Sequence, residues 1–126
     1  MTYQSCITMV DTMQPNKVPT TIKKRWLSEL EGRLQVEMEG ASPEELYPPE
    51  EAEELFIQDP DTLTAPFPFD NIYWMYLLAM LDFLAGDSAR YENSAALFNS
   101  AYQNYAKWVA RQQNAGRQQN TGRQSR

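Results

Sequence analysis

Histidine is absent from the 126 residues, and cysteine occurs once, at Cys6. Without an imidazole, the chain can build no Ser-His or Cys-His nucleophile pair, no histidine proton shuttle and no His-containing zinc site. A lone thiol forms no internal disulfide and no thiolate cluster, so nothing points to an oxidising compartment. Glycine is sparse and isolated, at 32, 40, 86, 116 and 122, which leaves no phosphate-cradling loop. The one strongly apolar stretch, 71–85, falls short of the about 20 residues a membrane span needs. The opening Met1–Val10 lacks the basic flank and apolar run of a signal peptide. The length suits one domain with a sizeable core.

Charge is present but segregated. Residues 1–28 carry a net +3, residues 29–92 a net −14, and residues 93–126 a net +5 with no acid at all. The acidic middle argues against wrapping nucleic acid, which needs a basic stripe. A basic end on an acidic body suggests docking to an acidic surface, including that of another copy of the same chain.

Four helices are legible. The first spans about 3–13, with Thr2 as N-cap and Cys6, Ile7, Val10 and Met13 at spacings of three and four. Pro15 and Pro19 end it and bracket a basic linker. The second starts after Thr20 or Thr21 as N-cap. Ile22, Trp26, Leu27, Leu30, Leu34 and Met38 mark its apolar face, with Lys24, Glu31 and Gln35 on the other side. Glu29 and Arg33 are placed for an i,i+4 pair, and Gly40 and Pro43 stop the helix. The third runs from an Asp70 N-cap to Gly86. Only Asn71 and Asp82 are polar within it, so it is expected to be buried all round as a central helix. The fourth begins near Asp87 or Ser88 and ends near Gln112. Its seam is Tyr91, Ala95, Phe98, Tyr102, Tyr105 and Val109, widened by Leu97, Ala101 and Trp108. Asn99, Gln103 and Lys107 form the polar line opposite.

Two segments differ in kind. Residues 41–69 hold six of the eight prolines and eight acids. Leu55-Phe56-Ile57 and Leu63-Thr64-Ala65 can pair as a short β-hairpin around Asp59-Pro60-Asp61, giving an acidic arm or lid over the helices. The tail repeats itself, Gln112–Arg117 followed by Gln118–Arg123. With almost no apolar residue, it is expected to be disordered alone. It reads either as an ordinary flexible terminus or as a peptide that docks on binding, with Arg117, Arg123 and Arg126 engaging carboxylates. The fold class expected is all-α: a three- to four-helix bundle over 1–112, the acidic Pro-rich insertion at 41–69, and an extended basic tail at 113–126.

No residue constellation calls for a cofactor or a metal. Glu44, Glu45, Glu50, Glu51, Glu53 and Glu54 sit among prolines, as solvated acidic segments do, and Asp59-Pro60-Asp61 lacks the spacing and glycine of a calcium loop. Cys6 has no base beside it and reads as a small core residue. Asp82 needs a partner, expected to be Arg90 or a backbone group. The aromatic stripe of the fourth helix reads as core. Trp26, Trp74 and Phe98 are expected in the core too.

Two stretches carry a likeness: KKRWLSELEGRL at 23–34 and IYWMYLLAMLDFLAGDSARYENSAALFNSAYQNYAKWV at 72–109, together about 40% of the chain. They resemble small helical head–tail connector (adaptor, neck) proteins of tailed bacteriophages infecting Gram-positive bacteria. The Arg25–Leu30 segment and the Tyr91–Tyr102 segment hold most of it; the acidic arm and the repeated tail lie outside it. The resemblance implies a non-enzymatic virion protein, assembled in the host cytoplasm and then resident in the neck. There it would form a ring, dodecameric in the usual case, under the portal protein. Such a ring extends the DNA channel and gives tail or stopper proteins a platform, passing DNA without reading its sequence and touching no membrane. Lys107, Arg111, Arg117, Arg123 and Arg126 would then face the portal or a neighbouring subunit. Glu44, Glu45, Glu50, Glu51, Glu53, Glu54, Asp59 and Asp61 would form a subunit-contact arm. The rival reading is an acidic inhibitor, with residues 44–61 imitating DNA phosphates to block a nucleic-acid enzyme. A carboxylate or metal enzyme is a further rival, and would need at least two acids converging in a pocket.

Overall fold

The computed structural model describes residues 1–40, 42 and 62–124, with side chains to residue 116. Among them it is all-α, with four helices and no strand: α1 Tyr3–Met13, α2 Thr20–Glu37, α3 Asn71–Ala85 and α4 Ser88–Gln124. Residues 43–61, and with them most of the expected acidic arm and its turn, lie outside the described residues. Of the suggested hairpin only Leu63-Thr64-Ala65 is described, and it is not a strand. Leu63 N–H instead donates to the Met1 carbonyl at 2.9 Å.

α1 forms as its spacing requires. The Thr2 hydroxyl accepts from Ser5 N–H at 3.0 Å, and the Ser5 hydroxyl accepts from Thr2 N–H at 3.0 Å, a reciprocal capping box. Cys6, Ile7 and Val10 are buried and Met13 is exposed. Thr2→Ala is expected to cost about 1 kcal/mol, read as a lower midpoint in thermal denaturation followed by circular dichroism.

α2 begins one residue earlier than expected. Its N-cap is Pro19, whose carbonyl accepts from Ile22 and Lys23 N–H at 3.1 and 3.3 Å, with no side-chain cap. Trp26, Leu27, Leu30, Leu34 and Met38 are buried, and Ile22 is exposed. Each fully buried leucine contributes about 1.5–3 kcal/mol. The expected Glu29–Arg33 pair is replaced by Arg25–Glu29 at 3.4 Å and Arg33–Glu37 at 3.1 Å. Arg33 is drawn towards the helix C-terminus because its guanidinium lies 4.4 Å from the Tyr102 ring, and Tyr102 in turn donates to Glu37.

α3 and α4 form an antiparallel pair turned at Gly86, whose φ of +75° lies in the left-handed region that glycine occupies without a Cβ clash. Their shared surface is the largest between any two helices, and α1 and α2 pack on α3 and on each other. Tyr76 meets Phe98 and Phe83 meets Tyr91, at ring-centroid distances of 5.2 and 5.4 Å. Asp70 is the residue before α3, but its carboxylate makes no cap bond; it lies 3.8 Å from the N-terminal ammonium. Asp82 meets Arg90 at 3.5 Å as expected, and also accepts from the Gln14 amide at 3.1 Å and from the Ser94 hydroxyl.

Four expectations about these helices are corrected. α3 is not buried all round: Phe83 and Leu84 are 61% and 57% exposed, because its last turn runs past the helices that cover the rest. Trp74 is only partly buried. On α4, Phe98, Ala101, Tyr102 and Tyr105 are buried, but Leu97 is 61% exposed and Tyr91 lies at the edge. Finally, α4 does not end near Gln112 but continues to Gln124. The repeated segment holds no proline, and its alanine, glutamines and arginines favour helix. Gly116 and Gly122 cost about 1 kcal/mol each without terminating a helix already nucleated upstream.

Candidate functional site

Two features stand out, one buried and one projecting. The buried one centres on Glu31, expected on the solvent side of α2 and found with 0% exposure. Its carboxylate accepts from Thr64 N–H at 3.1 Å, from the Thr64 hydroxyl at 2.6 Å and from the Tyr73 phenol. The Tyr73 oxygen accepts in turn from Ala65 N–H at 2.8 Å. Burial, and then the neighbouring Glu31 charge, push the Tyr73 hydroxyl far above the usual tyrosine range. A buried ion needs such a full set of donors. All of these donors are the protein's own, so the cluster clasps the 63–65 segment onto α2 and α3.

Lys23 is also buried. Its ammonium meets Asp11 at 2.5 Å, tying the start of α2 to the last turns of α1. Burial works to raise the Asp11 carboxyl, but hydrogen bonds from Lys23 and Asn16 outweigh it and hold the group below the ordinary range.

The projecting feature is the C-terminal part of α4. Lys107 and Arg111 are exposed and one turn apart, so they share a face. The last described tie to the rest of the molecule is Gln113, whose amide donates to the Met38 carbonyl at 2.9 Å. Residues 114–116 are exposed. At about 1.5 Å per residue, the backbone from 114 to 124 extends the helix by roughly 16 Å. Where α4 leaves the body, a groove of about 360 Å³ opens beside Glu39, Pro66, Tyr105, Trp108 and Gln112. Phe69 backs it, 5.6 Å from Tyr105 and 5.1 Å from Trp108. Burial, then the Glu39 and Glu31 charges, push the Tyr105 hydroxyl up to about 12.

Of the residues singled out from sequence, Lys107 and Arg111 are therefore brought together on one helix face. Arg117 and Arg123 fall within α4, but their side chains lie outside the described residues, as do Arg126 and all eight acids of the arm. Among the described residues no group of three His, Cys, Asp or Glu side chains could hold a metal ion, and no helix is long and apolar enough to cross a membrane. No family model, curated protein or solved structure matches the chain.

Proposed function

We propose that this chain is a structural head–tail connector of a tailed bacteriophage, a non-enzymatic helical-bundle subunit that assembles into a ring beneath the portal protein. The observation that carries the reading is the projecting end of α4. Among the described residues, the polar, basic end of α4 makes its last contact with the body at Gln113, just past Lys107 and Arg111, which share one face. A partner that supplies carboxylates would hold this helix end in place through charge-assisted hydrogen bonds. In the assembled neck, this helix docks on the portal and the compact part of the chain forms the ring wall. The acidic net charge of the middle segment lets DNA pass without adhering, because phosphate attraction is what drives non-specific binding. Tail or stopper proteins dock on the opposite surface of the ring.

The test is to mix purified chain with portal rings of the same virion and image the product. Ring density under the portal is expected with the full chain. It should be lost with a chain ended after Ala115, which keeps the Gln113 tie to Met38, and weakened with Lys107→Glu/Arg111→Glu. No association at any salt concentration overturns the reading and favours the acidic-inhibitor alternative.

A further inference from the structure

The C-terminus of α1, the N-terminus of α2, the C-terminus of α3 and the N-terminus of α4 all meet at one end of the molecule. The contacts that fix this are Gln14 to Asp82 at 3.1 Å, Arg90 to Gln14 at 2.9 Å and Lys23 to Asp11 at 2.5 Å. Five of the seven large hydrophobic side chains left exposed among the described residues lie on this end: Met13, Ile22, Phe83, Leu84 and Tyr91. Clustering at one end is the signature of an interaction surface, whereas scattered exposed apolar residues need no explanation. Beside Phe83 and Tyr91 there is also a recess of about 390 Å³, rimmed by Asp87 and Glu92.

Charge decides the occupant. The α3–α4 half of the end carries exposed Asp87 and Glu92, while its one base, Arg90, is paired with Asp82. The α1–α2 half carries exposed Lys17, with Lys24 and with Arg25, which is paired to Glu29, on the first turns of α2. Apolar side chains stand in both halves. A surface with a basic–apolar half and an acidic–apolar half is complementary to itself, and a foreign partner would need to reproduce both signs in register. We propose that this end is a self-association surface whose occupant is a second copy of the chain, the basic α1–α2 half of one copy meeting the acidic α3–α4 half of the other. Two-fold pairing and ring closure both satisfy that match. The inference deepens the connector reading, on which it rests for its biological setting, by assigning the subunit contact to a surface distinct from the projecting helix.

The experiment uses the purified full chain without portal, so that failure here is separable from failure of portal docking. Sedimentation equilibrium over a concentration series to ~1 mM is expected to show concentration-dependent association. Leu84→Glu, which places a charge within the patch, should weaken it at least tenfold while leaving the helical circular dichroism unchanged. Glu92→Lys and Lys17→Glu should each weaken self-association, and mixing those two variants should restore mixed oligomers, the response expected of opposite halves in contact. A chain monomeric throughout the series overturns the proposal. So does association that Leu84→Glu and both charge variants leave untouched, and so does failure of the two charge variants to recover association when mixed.

Discussion

Tyr73→Phe should destabilise the chain by about 3 kcal/mol, and Tyr3→Phe, an identical chemical change on a neighbouring helix, should be neutral or slightly stabilising. The Tyr73 hydroxyl donates to the buried Glu31 carboxylate and accepts from Ala65 N–H. Removing it leaves a charge short of one donor and an amide without an acceptor, both away from water. Breaking a buried charged contact from one side costs about 3–5 kcal/mol, since the remaining partner keeps its desolvation cost. Thr64 still serves Glu31 through two bonds, so the lower end of that range applies. The Tyr3 hydroxyl, by contrast, is buried and makes no well-formed hydrogen bond among the described residues, with only the neutral Ser28 hydroxyl beside it. Deleting it removes a desolvated polar group and frees nothing. For a chain of this size, the Tyr73 change should lower the thermal midpoint by roughly 10–15 °C. Equal midpoints for the two variants would show that Glu31 is not held as described.

The same cluster shows what was and was not legible in the sequence. α1 could be read almost to the residue because its signals are local: Thr2 caps it, and Cys6, Ile7 and Val10 recur on one face. The α3–α4 turn is equally local, set by Gly86 at positive φ. Glu31 and Lys23 were assigned to solvent, or left unassigned, on polarity alone, although their positions pointed inward. Glu31 is four residues after Leu27 and three before Leu34, and Lys23 is four before Leu27. Both therefore lie within the apolar stripe of α2. What the sequence could not supply was the partners, because Thr64 and Tyr73 come from 33 and 42 residues away. Leu97 failed for the opposite reason. It extends the apolar face of α4 by composition, but none of the described helices covers it. The candidate site was legible as a charge pattern more than as a place. The run of bases without acids after residue 92 is plain in the sequence, whereas the point where α4 leaves the body, just past Lys107 and Arg111, follows from where α2 ends at Met38.

The chain should unfold cooperatively in alkali within about two pH units above 10, and Tyr3, Tyr73, Tyr102 and Tyr105 should ionise in that step rather than before it. Burial first, and nearby carboxylates second, raise the hydroxyls of Tyr3, Tyr73 and Tyr105, and burial with the Glu37 hydrogen bond raises Tyr102. Tyr76 is raised in the same way, and the Cys6 thiol is pushed up to about 12 by burial and then by the Asp70 charge. A group whose pKa is raised by folding contributes stability that is fully present below its unfolded value. That stability is lost as pH climbs from the unfolded value towards the folded one, because only the unfolded chain releases its proton there. Unfolded tyrosine ionises near 10 and unfolded cysteine near 8.5. Each group retained in its neutral form costs about 1.4 kcal/mol per pH unit, so the four most buried tyrosines together remove about 5 kcal/mol per unit above pH 10. A domain has about 5–15 kcal/mol in total, so the loss exhausts its stability quickly. The check is to follow tyrosinate absorbance and helical circular dichroism through one alkaline titration. Coincident, steep transitions are expected, with Tyr102→Phe and Tyr105→Phe each making the fall shallower. Smooth ionisation of Tyr3, Tyr73, Tyr102 and Tyr105 near pH 10 with the helices intact would mean that these rings are open to water, and would overturn the packing of α4 on α2 and α3.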